Sequence, residues 1–102
     1  MKSLVLVVAL YTIAVPAFAA NNGEALIKKN NCTTCHSVSG KKVGPGFKDI
    51  AAKYKGDATA QAKLEQKVRK GGSGLFGKTM MPPQKAVSDK ELKVIVMWIL
   101  SL

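Results

Sequence analysis

From Leu92 onward, apolar residues recur at Leu92, Ile95, Val96, Ile99 and Leu100, the i, i+3, i+4, i+7, i+8 stripe of a helix that buries one face. Its start is also marked. Ser88 and Glu91 occupy the two positions of a capping box, and Val87 and Leu92 those of a hydrophobic staple. Ala60, Leu64 and Val68 repeat every four residues and predict a second helix, with Asp57 as its cap and Lys70-Gly71-Gly72 as its end. A shorter helical stretch fits residues 47–55 and stops at Gly56. A first helix fits Asn22 to about Asn31, with Asn22 as N-cap, Glu24 in the first turn and Lys28 and Lys29 in the last. No stretch alternates apolar and polar residues for long enough to predict a strand, so the fold class is all-α.

Between these helices lie two segments with no helical period. Residues 37–46, SVSGKKVGPG, are turn chemistry, and residues 73–86, SGLFGKTMMPPQKA, form a loop stiffened by Pro82-Pro83. A loop of that length in a small domain signals function. The N-terminus shows a third pattern: one Lys, an apolar run over residues 4–14, Pro16, then Ala17-Phe18-Ala19. That order is a secretory signal with cleavage after Ala19, and the run is too short for the roughly 20 residues of a membrane span. Retention of residues 1–19 as an anchor is the competing reading.

Cleavage leaves residues 20–102 as one domain and removes a single Lys, so the formal charge falls from +10 to +9. A domain this size buries little core and needs a staple. Cys32 and Cys35 are too close in sequence for a disulfide to supply much of one.

They do supply something else. Cys32-Thr33-Thr34-Cys35-His36 is C-x-x-C-H, the spacing in which two thiols add to the vinyl groups of a haem while the adjacent imidazole reaches the iron. A redox dithiol would call for a βαβ context, and a zinc site for ligands that a chain with two Cys and one His cannot draw from those residue types. The metal site therefore begins with His36, and a sixth ligand is the open question. A thioether there raises the potential and excludes small molecules. Met97 falls within the last helix and reads as packing, whereas Met80 and Met81 both lie in the long loop.

With Val43-Gly44-Pro45-Gly46-Phe47, Gly71-Gly72-Ser73-Gly74-Leu75-Phe76-Gly77 and Met81-Pro82-Pro83 following the C-x-x-C-H in order, residues 24–100 resemble the small bacterial class I c-type cytochromes of the cytochrome c-551/c-552 group. The resemblance implies a class I cytochrome c fold, about four helices around one covalently attached haem c. It selects Met81, the methionine directly before Pro-Pro, as the axial ligand opposite His36, and it assigns the Pro45 carbonyl as acceptor for the other ring nitrogen of His36. Many members carry Trp where this chain has Phe76, so an indole donor to a haem propionate is lost, and Lys67 and Arg69 become the candidates to replace it. One extra residue stands between Pro83 and the last helix. Trp98 is expected to pack on the first helix near Ile27.

The lysines form no uninterrupted basic run and come with few aromatics, which speaks against nucleic-acid binding. Those near an exposed haem edge would instead steer the protein to redox partners with acidic docking surfaces. The reading is a monomeric periplasmic electron carrier, cycling Fe(III)/Fe(II) between respiratory partners in the periplasm or membrane, and not an enzyme. The alternative is a haem enzyme or gas-binding protein with an open iron site; the absence of a second His weighs against it.

Overall fold

The computed structural model describes residues 3–11 and 18–102. Among them are four α-helices, α1 (Phe18–Lys29), α2 (Phe47–Lys53), α3 (Ala60–Lys70) and α4 (Asp89–Leu100), with a 3₁₀ turn at Cys32–Thr34. Helix α4 is the centre of the packing: α1, α2 and α3 each lie against it. Its stripe forms the core, since Leu92, Ile95, Val96 and Ile99 are buried together with Ile27, Phe47, Ile50 and Leu64 from the other helices. No regular strand occurs among the described residues; the one β-type pairing is an isolated bridge between Gly72 and Met81.

Helix α1 starts earlier than its sequence pattern indicates. Asn22 lies within the helix and is not its N-cap, because Phe18-Ala19-Ala20 offer no competing cap and two of the three are alanines, the best helix formers. The helix ends at Lys29, and two residues on, the left-handed backbone of Asn31 (φ 59°) turns the chain out of the helical path.

At α3 the N-cap position is Thr59, not Asp57. Asp57 acts one step earlier, its carboxylate accepting from the Thr59 backbone N–H at 2.8 Å and from the Thr59 hydroxyl at 2.6 Å. At α4 the Ser88 hydroxyl accepts from the Glu91 N–H at 3.1 Å, but only this half of the capping box forms. The Glu91 carboxylate instead bonds Lys29 and Asn30 at the end of α1, joining the two helices.

Trp98 meets α1 at Gly23, one turn before Ile27. A Cβ on Gly23 would overlap the Trp98 Cβ and indole, so only glycine lets the two helices cross this closely. The indole also packs edge-on against Phe47, centroids 5.5 Å apart.

Residues 3–11 carry no regular structure, and Leu4, Val5, Leu6, Val7, Val8, Leu10 and Tyr11 are exposed, outside the core. Pro16 and Ala17, which belong to the expected secretory signal, lie outside the described residues.

Candidate functional site

One cleft, about 340 Å³, opens between the helices and the two long loops. Its volume is within the range of small-molecule sites. Cys32, Cys35, His36, Pro45, Phe76 and Met81 all line it, although they come from three separate parts of the chain.

The Asn31 turn throws residues 32–34 into the 3₁₀ turn and places both cysteines, partly buried and unpaired, on the cleft wall. Burial pushes the Cys32 thiol up from its ordinary range, with a backbone hydrogen bond opposing the shift. A redox-active cysteine is shifted the other way, so the dithiol reading gains nothing here.

His36 is held by the loop that follows it. That loop folds back through Gly44 N–H to the Cys35 carbonyl (2.8 Å), Phe47 N–H to the Ser37 carbonyl (2.8 Å) and Lys48 N–H to the Val38 carbonyl (3.0 Å). In consequence the Pro45 carbonyl lies 2.8 Å from His36 Nδ1. A carbonyl can only accept, so Nδ1 carries the proton and the Nε2 lone pair is left for a metal. The Phe47 ring stacks on the imidazole at 5.3 Å, and a Cβ on Gly44 would sit 2.6 Å from its Cε1. Gly44 and Phe47 therefore hold the ring orientation, and neither is among the site residues predicted from sequence. The signal available was the spacing of V-G-P-G-F behind C-x-x-C-H.

Met81 is pinned through its backbone: Gly72 N–H donates to the Met81 carbonyl (2.9 Å) and Met81 N–H to the Gly72 carbonyl (3.0 Å). A Cβ on Gly71 would strike the same carbonyl, so this glycine admits the Met81 segment against the end of α3. Met80 also borders the cleft but is 68% exposed, whereas Met81 is half-buried.

Of the two cations proposed to replace an indole donor, Lys67 lines the cleft. Arg69 is engaged elsewhere. Its guanidinium donates to the Gln84 carbonyl (2.7 Å), the Val87 carbonyl (2.6 Å) and the Asp89 carboxylate (2.8 Å), binding the end of the loop to α3 and α4. Phe76 is at the cleft mouth, 38% exposed, with the Lys53 ammonium over its ring.

This donor set fits a covalently held haem. The cleft is walled largely by apolar side chains from α3 and α4, has two thiols at one edge, and offers a free imidazole nitrogen and a thioether as the soft and borderline donors that iron in a porphyrin takes.

The comparisons with known proteins agree. A family model described as Cytochrome c matches residues 20–102. Cytochrome c-551 of Allochromatium vinosum is 51% identical over 77 residues, covering 76% of this chain and 82% of that protein. Cytochrome c-552 of Hydrogenobacter thermophilus is 44% identical over 97 residues, 95% of each. The crystal structure of Nitrosomonas europaea cytochrome c552 superposes with a TM-score of 0.75 at 48% identity, covering 78% of this chain and 98% of that one.

Proposed function

The chain belongs to the cytochrome c family and is a monohaem electron carrier with haem c as its cofactor, and from that premise we propose how its own residues perform the task. Cys32 and Cys35 would hold the haem through thioether bonds, and His36 Nε2 and Met81 would be the protein's ligands to its iron. The group supplies a one-electron Fe(III)/Fe(II) couple. The protein's part is to keep the ligands still. The hydrogen bond to Pro45 holds the His36 tautomer and raises its basicity, and stacking on Phe47 restricts its rotation. The Gly72 bridge restrains Met81. The apolar walls exclude water, which limits solvent reorganisation as charge changes. Lys67, which lines the cleft, would be available to meet a propionate. The observation that carries this reading is the convergence of both thiols, the Pro45-bonded imidazole and Met81 on one apolar cleft.

The partners we propose are redox proteins with acidic docking surfaces. Among the described residues the four ion pairs involve Lys28, Lys29, Lys63 and Arg69, none of which lines the cleft. Lys41 and Lys67 on the cleft have no carboxylate within 4.0 Å, so their charge is free to act on a partner.

Residues 1–19 we propose to be a leader that directs export to the periplasm and is cleaved after Ala19. In support, the family match begins at residue 20 and residues 3–11 lie outside the core. No helix of the described residues is long and apolar enough to cross a membrane. The mass of the intact protein from the periplasm tests cleavage directly: residues 20–102 plus one haem is the expected species, and the full chain would return the anchor reading.

Optical spectra of the oxidised and reduced protein test the ligation. A low-spin spectrum with a thioether-to-iron charge-transfer band in the oxidised state is expected. A high-spin spectrum that shifts on adding carbon monoxide would favour the open-site haem protein instead.

A further inference from the structure

Residues 73–80 cross the mouth of the cleft between the two ends of the Gly72–Met81 bridge, and all of them are exposed. Little fastens them. Among the described residues their one hydrogen bond, from Gly74 N–H to the Gly77 carbonyl at 2.8 Å, is internal, and no ion pair reaches them. Leu75 and Phe76 are not part of the buried cluster. Gly74 and Gly77 have φ of +111° and +107° with open space around them, so the segment is built from backbone that few side chains would stiffen.

The remaining tie comes from outside the loop. Lys53, in the last turn of α2, holds its Nζ 5.3 Å from the centroid of the Phe76 ring, inside the roughly 6 Å at which a cation is attracted to an aromatic face. It belongs to none of the four ion pairs, so no carboxylate competes for its charge. Phenylalanine has no side-chain donor, so the face of its ring is the electrostatic handle that Phe76 offers.

We infer that Lys53 is a positioning residue: by capping the Phe76 ring it latches residues 73–80 to α2 across the cleft and restrains the excursions that would withdraw Met81 from the iron. The latch stands on the contact itself; its effect on Met81 rests on the ligation proposed above.

The test uses the haem-loaded, oxidised protein in four forms besides the unaltered one: Lys53→Gln, Phe76→Leu, the two combined, and Lys53→Arg. Amide hydrogen exchange at residues 74–79 reads the latch, and the rate of cyanide binding reads the departure of Met81. Lys53→Gln and Phe76→Leu should each speed both by about two- to fivefold, the range for a cation on an exposed ring. The combined variant should be no faster than either single one, because each removes the same contact. Lys53→Arg should stay close to the unaltered protein, since a guanidinium caps the ring as well.

Unchanged exchange in Lys53→Gln, or effects that add in the combined variant, would overturn the latch. So would a rise that includes the α4 amides, which reports general loosening. Faster exchange with unaltered cyanide binding would overturn the positioning role. Failure of the ligation itself is seen separately, as a missing charge-transfer band in the unaltered protein, and exchange at 74–79 then still decides whether the latch exists.

Discussion

Met80 and Met81 are adjacent and both reach the cleft, yet their surroundings differ: Met81 is paired to Gly72 and half-buried, Met80 is mostly exposed. Met81→Ala should abolish the thioether charge-transfer band, lower the potential and admit cyanide or carbon monoxide readily. Met80→Ala should leave all three nearly unchanged. The three readouts move together because loss of a soft donor removes both the preference for Fe(II) and the barrier to added ligands. If Met80→Ala had these effects instead, the ligand assignment would be off by one residue. At this scale Cys32, Cys35 and His36 can be singled out from sequence because their chemistry lies in residue type and spacing, whereas Met81 is preferred to Met80 only through the family resemblance. Gly44 and Phe47 are not legible in that way. Their role is contact with the His36 ring, and that contact exists only because the loop folds back on Cys35 and Ser37.

Among the elements, α1 and α4 depend on one close approach. Gly23→Leu inserts a side chain where the Trp98 Cβ and indole already lie, and overpacking of this kind typically costs about 1–3 kcal/mol. Denaturant unfolding of the haem-loaded protein should show the midpoint fall by that equivalent, and an unchanged midpoint would mean the crossing can shift at no cost. Helix α3 depends on its preceding turn. The Thr59 hydroxyl, then Lys63, hold the Asp57 carboxyl down to about 2, below the roughly 4 expected of it in the unfolded chain. A depressed carboxyl adds stability above its unfolded value and loses it as pH falls through its folded one. The difference in stability between the unaltered protein and Asp57→Asn should therefore be full above about pH 4 and fade between about pH 4 and pH 2. A difference that persists at pH 2 would mean that shape, not charge, is what Asp57 contributes.

For the whole molecule, the cleft occupies the place where a larger domain would have core. Its walls include Leu64, Ile95, Val96 and Ile99, which also belong to the buried cluster. Cys32→Ala combined with Cys35→Ala should therefore give little haem-loaded protein and a largely unfolded chain without a cooperative melt. Native helicity and cooperative melting without haem would refute the cofactor's role as staple. The charge acts at the same scale. With a formal +10 on the full chain, and unpaired lysines beside the cleft, electron exchange with an acidic partner should slow as salt rises, through screening over about 8 Å at physiological ionic strength. A rate that ignores salt would indicate apolar docking.

Sequence alone determined the helical class, the α4 stripe with its Ser88 start, and the haem-binding motif, because each is written in short-range periodicity or in the chemistry of neighbouring residues. It misplaced the start of α1 and the cap of α3, where several adjacent residues can serve and the local energies differ by little. It read Ser88 and Glu91 as reciprocal partners, while the fold gave Glu91 a stronger partner in Lys29, a cation 62 residues away. It held Lys67 and Arg69 as equals; Arg69 proved to bind Gln84, Val87 and Asp89, leaving Lys67 at the cleft. Gly23 beneath Trp98 and Lys53 above Phe76 were also out of its reach. Each of these is a meeting of residues more than a dozen positions apart, and only the packing of helices on one another decides which distant side chains come within bonding distance.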